Sequence, residues 1–222
     1  GRPRLYSCGE AFPPDLAAPL AERGASVWNM YGPTETTVYS SVEQIRADTA
    51  RVTVGRPVSN TAMYVLDPDG DLLPVGCTGE LCIGGDGVAE GYWHQPHLTA
   101  ERFVEDPFRA GPARMYRTGD RARHLPDGRI ELLGRMDRQL KLHGYRIEPG
   151  EIEAALLALS EVQGAAVAER AGRLVAWAVP ADPGAPVEPE RLRTALRRVL
   201  PSYMVPEVIV PVDALPLNTA GK

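Results

Sequence analysis

The chain has 222 residues with a net charge of −5, 44% apolar and 24% charged residues, 22 glycines and 21 prolines. That is enough for one or two domains with a real core, and loop-rich. The acidic balance excludes an electrostatic footprint for nucleic acid or anionic lipid, and no apolar run approaches the roughly 18 residues of a membrane span. The N-terminus GRPRLYSCGE lacks the apolar stretch of a signal peptide. Cys8, Cys77 and Cys82 are odd in number and far from CxxC spacing, which suits a reducing, cytoplasmic setting. Both ends read as interior to a longer chain, so a fragment is expected.

In chain order, RLYSCGE reads as a strand, PPDLAAPLAERG as a helix stopped by Gly24, and SVWNMYG as a second strand. Strand, helix, strand is a slice of a parallel α/β layer over 1–50. From 51 to 136 the texture changes to short β-branched runs split by DPDGD, PVGCTG, GGDG and PDGR, as in antiparallel hairpins. LTAERFVED is a helical turn within that region. After Arg135, RQLKLHGYRI alternates like a single strand. EPGEIEAALLALS puts Ile152, Leu156 and Leu159 on one helical face, with Glu151 and Glu153 near its positive end. A hairpin (GAAVAER, RLVAWAV), a helix (PERLRTALRRVLP) and a last strand (EVIVPVDAL) complete a small α+β unit over 137–222.

Several segments imitate known sites. IGGDGVAEG lacks the Gly-Lys-Ser/Thr of a phosphate loop and runs into YWHQP, so it reads as a hairpin with closely approaching backbone. DPDGDLLPVGCT has Leu72 and Thr78 where a calcium loop needs Gly and Glu, and is a turn. HQPH lacks supporting ligands, the arginines of RLRTALRRVLP read as a solvated face, and no GxSxG is present.

Four other segments carry chemistry. YGPTE sets Glu35 after a rigid Gly-Pro turn. YRTGD ends a strand on Asp120, a short acid able to accept two hydrogen bonds from a vicinal diol. GRMDRQLKLHGYRIEPGEIE gathers Arg, Asp and Lys at the junction of the two regions, and NTAGK leaves Lys222 on a loop suited to reach a distant anion.

In this order, and with GELCIGGDGVAEGYW and LPSYMVP, these segments resemble the adenylation domains of nonribosomal peptide synthetases, within the adenylate-forming ligase superfamily. The resemblance runs from Gly1 to Lys222 and represents the C-terminal half of such a domain. It implies an α/β and β fold: the C-terminal slice of a large α/β core with a distorted antiparallel β-barrel (1–136), then a small mobile α+β subdomain (137–222) truncated at the catalytic lysine. It implies ATP-dependent activation of an amino acid as its adenylate, then transfer to the phosphopantetheine thiol of a peptidyl carrier domain. Tyr31 would stack on adenine, with Asn29 and Gly9 lining the base site. Thr34 would contact phosphate and Glu35 would hold Mg²⁺. Asp120 would bind the ribose hydroxyls, and Arg135 ribose or phosphate. Lys222 would span the substrate carboxylate and the α-phosphate. Asp137 falls at the hinge, and the loop Lys141–Arg146 would face the pantetheine tunnel. Tyr6, Cys8, Met30, Val38 and Tyr39 align with the acyl pocket, an uncharged wall that names no substrate. LTAERF resembles the segment on which MbtH-like proteins dock.

Glu90 replaces the family's usual Arg in surroundings read as structural, and Arg121 replaces the commoner Leu, read as a tolerated variation. The upstream phosphate loop and the acid that meets a substrate amine are absent, so the chain alone is expected not to adenylate. A stand-alone acyl- or aryl-CoA ligase, and a non-catalytic remnant serving as an interaction surface, stay open as alternatives. The joint presence of Glu35, Asp120, Arg135 and Lys222 argues against the second.

Overall fold

The computed structural model describes residues 3–23, 26–49, 51–182, 184–185 and 187–216. Contacts divide the chain into two units, Gly1–Asp137 and Arg138–Lys222.

The first unit opens with β1 (Arg4–Ser7), a 3₁₀ turn at Pro14–Leu16, α1 (Ala17–Glu22) and β2 (Ser26–Tyr31). Proline at the start of the 3₁₀ turn costs nothing there, because its missing N–H would have no partner. β1 and β2 pair in parallel, Leu5 beside Val27 and Ser7 beside Asn29, with the helical crossover that a parallel pair requires. Gly24, read above as the helix stop, lies outside the described residues. Along β2 the pleat turns Val27, Asn29 and Tyr31 inward. Phe12, Ala17, Val27 and Ile45 form the core beneath this layer. β3 (Ser41–Ile45) and β4 (Arg56–Pro57) extend the sheet with antiparallel pairings.

An antiparallel sheet follows, built from β5 (Thr61–Leu66), β6 (Gly79–Gly85), β7 (Phe103–Glu105), β8 (Arg114–His124) and β9 (Ile130–Arg135), with α2 (Pro96–Arg102) before β7. Its order is β5-β6-β8-β7, with β9 also on β8. A bridge between Gly55 and Ile130 curls this sheet against the end of the first. Tyr31, Val65, Leu81, Ile83 and Ile130 fill the interior, each aliphatic contributing about 1.5–3 kcal/mol by its burial. In the DPDGD turn Asp67 Oδ1 accepts the N–H groups of Asp69 and Asp71, each at 2.9 Å. Its acid is spent on the turn, and among the described residues no cluster of three metal-binding side chains occurs.

The second unit holds β10 (Leu140–Leu142), β11 (Tyr145–Ile147), α3 (Pro149–Leu157), β12 (Val162–Arg170), β13 (Arg173–Pro180), α4 (Pro189–Leu196) and β14 (Val208–Pro211). The single strand expected from RQLKLHGYRI is instead a hairpin, Lys141 facing Arg146. His143 (φ 51°) and Gly144 (φ 78°) are both left-handed, the geometry of a tight hairpin turn whose twist matches its strands. Ala171 (φ 50°) and Gly172 (φ 74°) close β12 onto β13 in the same way. β14 joins β13 in parallel. Ile152 and Leu156 of α3, and Leu192 and Leu196 of α4, are wholly buried, and Leu159 packs just past the end of α3. The arginines of α4 are not all a solvated face: Arg193 reaches Glu190 at 2.5 Å and donates to the Glu207 carbonyl at 2.8 Å.

Candidate functional site

The YGPTE segment folds back on itself because Gly32 has no side chain: a Cβ there would lie 2.5 Å from the Val38 carbonyl oxygen and 2.7 Å from the Ser40 nitrogen. Pro33 leads into a 3₁₀ turn in which Thr36 N–H donates to the Pro33 carbonyl at 3.1 Å and Thr37 N–H to that of Thr34 at 3.2 Å. Thr37 (φ 61°) and Val38 (φ 69°) are then left-handed in succession, a conformation that costs a β-branched residue on the order of 1–3 kcal/mol. Bonds from both sides hold it. Thr37 Oγ1 donates to the Gly87 carbonyl at 2.8 Å, Ala89 N–H to the Glu35 carbonyl at 2.9 Å, and Ser40 N–H to the Tyr31 carbonyl at 2.8 Å. Gly87 permits the approach, since a Cβ there would meet the Thr36 carbonyl oxygen at 2.9 Å. The glycine-rich loop after β6 therefore buttresses this turn.

The turn carries Glu35 inward, to 6% exposure. Its Oε1 accepts the hydroxyls of Tyr92 at 2.6 Å and Tyr116 at 2.9 Å. Burial first, and the bond to Glu35 second, raise the Tyr92 pKa well above its ordinary value, so the phenol stays protonated and donates. Phe103 packs on both tyrosine rings, at centroid distances of 5.3 and 5.1 Å. A carboxylate gripped this way is a fixed, hard oxygen donor, the ligand type that Mg²⁺ takes.

A second carboxylate is held as firmly. The β8–β9 pairing slips at Asp120, and such a bulge re-aims a side chain. Asp120 is 6% exposed. Its Oδ2 accepts the Tyr31 hydroxyl at 2.5 Å and its Oδ1 accepts Arg135 Nη1 at 2.9 Å. Arg135 also forks onto Asp137, with Nε and Nη2 each 2.6 Å from a carboxylate oxygen. YRTGD does not end its strand, since β8 runs on to His124 through the bulge. Glu80 clamps the strand just before the bulge: Oε1 accepts Gly119 N–H at 3.2 Å, and Oε2 accepts Arg117 Nε at 3.0 Å. Gly119 is left-handed at φ 71°, and a Cβ there would lie 2.8 Å from Arg135 Nη2. Burial, then the charge of Asp120, raise the Tyr31 pKa well above the ordinary phenol value. Tyr31, Asp120, Arg135 and Asp137 thus form one polar chain.

Of the residues singled out in the sequence, Thr34, Glu35, Tyr31, Asp120, Arg135 and Asp137 lie in or beside these two clusters. Asn29 is buried and donates Nδ2 to the Thr53 carbonyl at 2.7 Å. Gly9 is left-handed (φ 86°) in the segment after β1. Tyr6 and Val38 are exposed, Met30 lies on the face of β2 opposite Tyr31, and Tyr39 reaches Cys8 at 3.9 Å. Lys222 lies outside the described residues, and Lys141–Arg146 form the β10–β11 hairpin. Sequence reasoning missed Tyr92, Tyr116 and Glu80 as partners of the site, although the first two stand in GYW and YRTGD.

Residues 1–93 match the family of AMP-binding enzymes and residues 151–222 the AMP-binding enzyme C-terminal domain. The chain belongs to the AMP-binding enzymes. Within them it corresponds to the C-terminal half of an adenylation domain of a nonribosomal peptide synthetase. It is 47% identical over 224 residues to tyrocidine synthase 2 of Brevibacillus parabrevis, covering 99% of this chain and 6% of that protein. To bacitracin synthase 1 of Bacillus licheniformis it is 45% identical over 206 residues, covering 90% of this chain and 4% of that protein. The chain therefore spans a small part of the length of the curated relatives it matches. Among solved structures it is similar to NpsA-ThdA, an artificially fused adenylation–PCP di-domain from Klebsiella oxytoca. That match has 33% identity and a TM-score of 0.79, over 93% of this chain and 39% of that one. It is also similar to the Vibrio cholerae adenylation domain AlmE in complex with glycyl-adenosine-5′-phosphate, with 25% identity and a TM-score of 0.85 over 96% of this chain and 42% of that one.

Proposed function

We propose that the protein containing this chain activates an amino acid with ATP and passes it to a carrier-bound thiol during nonribosomal peptide synthesis. The observation that carries the reading is the pair of buried carboxylates, Glu35 and Asp120, each held by its own set of partners. A nucleoside triphosphate needs an acceptor for its sugar diol and an anchor for the ion on its phosphates, and the two acids suit those two tasks. The AlmE neighbour, bound to an aminoacyl-adenylate, supports the same reading.

In the reaction, a carboxylate oxygen of the amino acid attacks the α-phosphorus. The acyl–phosphate bond forms, the bond to the β-phosphate oxygen breaks, and pyrophosphate leaves. Tyr31 offers its ring to adenine, beside Asn29 and Gly9. Asp120 accepts the ribose hydroxyls while Arg135 offsets its charge, and Thr34 donates to phosphate. Glu35 would hold Mg²⁺, which supplies neutralisation of phosphate charge. Lys222 would bridge the substrate carboxylate and α-phosphate, where charge grows in the transition state. Tyr6, Cys8, Met30, Val38 and Tyr39 form part of the acyl pocket. Asp137 is the hinge about which the second unit turns, and the β10–β11 hairpin presents Lys141–Arg146 to the incoming phosphopantetheine. The carrier domain is the partner, and an MbtH-like protein a second one at residues 98–103.

The test is ATP–pyrophosphate exchange by the intact synthetase polypeptide over a panel of amino, aryl and fatty acids, with Lys222→Ala alongside. Exchange with one amino acid, lowered on the order of 10²–10³-fold in the variant, is the expected result. Exchange only with aryl or fatty acids would favour a CoA ligase, and no exchange by folded protein would sink the enzymatic reading.

A further inference from the structure

We infer that the Tyr31 hydroxyl is the positioning group that makes Asp120 selective for an intact ribose diol, so that one tyrosine serves both the base and the sugar. The inference rests on the proposed use of ATP and assigns a task to an atom that base stacking leaves idle. A stacking ring needs only its face, and phenylalanine would supply one. Here the hydroxyl makes a buried hydrogen bond, 2.5 Å from Asp120 Oδ2.

The hydrogen-bond count explains why this matters. An ionised carboxylate has two oxygens with two lone pairs each. Arg135 Nη1 takes one on Oδ1 and the Tyr31 hydroxyl one on Oδ2, which leaves one acceptor direction on each oxygen. Two acceptors side by side match two vicinal hydroxyls. With both oxygens pinned, the carboxylate plane cannot rotate, so the pair is presented before the nucleotide arrives. The backbone supports the same aim: Thr118 Oγ1 accepts Asp120 N–H at 2.9 Å and donates to the Leu81 carbonyl at 2.7 Å. Without the phenol, Arg135 alone pulls on one oxygen and the carboxylate is free to swing. ATP then loses its advantage over nucleotides that lack a hydroxyl, while adenine stacking persists.

The test compares ATP, 2′-deoxy-ATP and 3′-deoxy-ATP in acid-dependent pyrophosphate exchange by the intact synthetase polypeptide. The unsubstituted protein prefers ATP over both analogues. In Tyr31→Phe the KM for ATP rises on the order of tenfold, the scale of one hydrogen bond to a charged group, and by more than the KM values for the deoxy analogues, so the preference for ATP falls. Asp120→Asn loses the preference too, and the double variant is no worse than Asp120→Asn, because both act through one contact. If Tyr31→Phe does not fold by its thermal midpoint, Asp120→Glu keeps the charge and carries it a methylene beyond the phenol. The same loss of preference is expected there. Tyr31→Phe that keeps the full preference, or that weakens ATP and the analogues equally, would overturn the inference and leave the proposed function standing. No ATP-dependent exchange by the unsubstituted protein would overturn both.

Discussion

The two units bury different chemistry. Among the described residues the first encloses Glu35, Glu80, Asp106 and Asp120 with Asn29, Thr53 and Thr118, whereas the second encloses only Gln139 among polar side chains. Its core is a continuous aliphatic cluster from Leu142 to Ile209. Buried carboxylates are costly unless each is satisfied, and the first unit meets that cost with phenols, guanidinium groups and backbone N–H donors drawn from distant segments. The second unit relies mainly on apolar burial, and its Glu153, which accepts Arg138 and the Val167 N–H, is only partly buried. The difference separates a unit whose burial includes several satisfied carboxylates from one whose burial is almost wholly aliphatic.

Breaking the aliphatic side has the largest effect on stability. Leu156→Ala, at a wholly buried position, is expected to destabilise the second unit by about 2–5 kcal/mol. In a denaturant titration of the intact protein the first unit's transition and the nucleotide affinity of the folded state stay unchanged. A matching loss of nucleotide affinity would show that the two units are not energetically distinct.

A smaller effect is expected on the polar side from Glu80→Gln, which keeps the shape but weakens the grip on Gly119 N–H and Arg117. A loss of about 1–3 kcal/mol is expected in the first unit, together with weaker nucleotide binding, because the bulged stretch of β8 that presents Asp120 loosens. Stability lost with nucleotide binding intact would make Glu80 a purely structural acid.

The smallest test uses Cys82. Burial, then the charge of Glu80, push its thiol up to about 12 from an ordinary 9.0. Iodoacetamide at mildly alkaline pH should therefore modify the exposed Cys8 and Cys77 and spare Cys82 until the first unit unfolds, as read by mass spectrometry. The thiol stays protonated when folded and ionises when unfolded, so its contribution to stability is complete below pH 9.0 and is lost as pH rises towards about 12. A stability flat across that window would contradict the assignment.

Much of this was legible beforehand, and unevenly. The Gly-Pro turn, the acid that ends YRTGD and the aliphatic face of α3 announce themselves because each is local: a turn residue, a short acid after glycine, a helical period. The partners of the acids were not legible. Tyr92 and Tyr116 reach Glu35 across separations of 57 and 81 residues, and only the tertiary fold, through the loop after β6 for Tyr92 and the register of β8 for Tyr116, decides which hydroxyls point at it. The β10–β11 hairpin was missed for a different reason. RQLKLHGYRI alternates on both sides of its turn, and nothing in the period marks His143 as left-handed. The strain at Thr37 and Val38 was also invisible, since two β-branched residues argue locally for a strand and are overruled by the close approach at Gly32.

The most direct test is a calorimetric titration of AMP and of Mg²⁺–ATP into the intact polypeptide, its Glu35→Gln variant and its Asp120→Asn variant. If the two carboxylates divide the nucleotide between them, Asp120→Asn weakens AMP and Mg²⁺–ATP alike, while Glu35→Gln weakens Mg²⁺–ATP and leaves AMP almost unchanged. Equal losses for both ligands in Glu35→Gln, or no loss in either variant, would contradict the account.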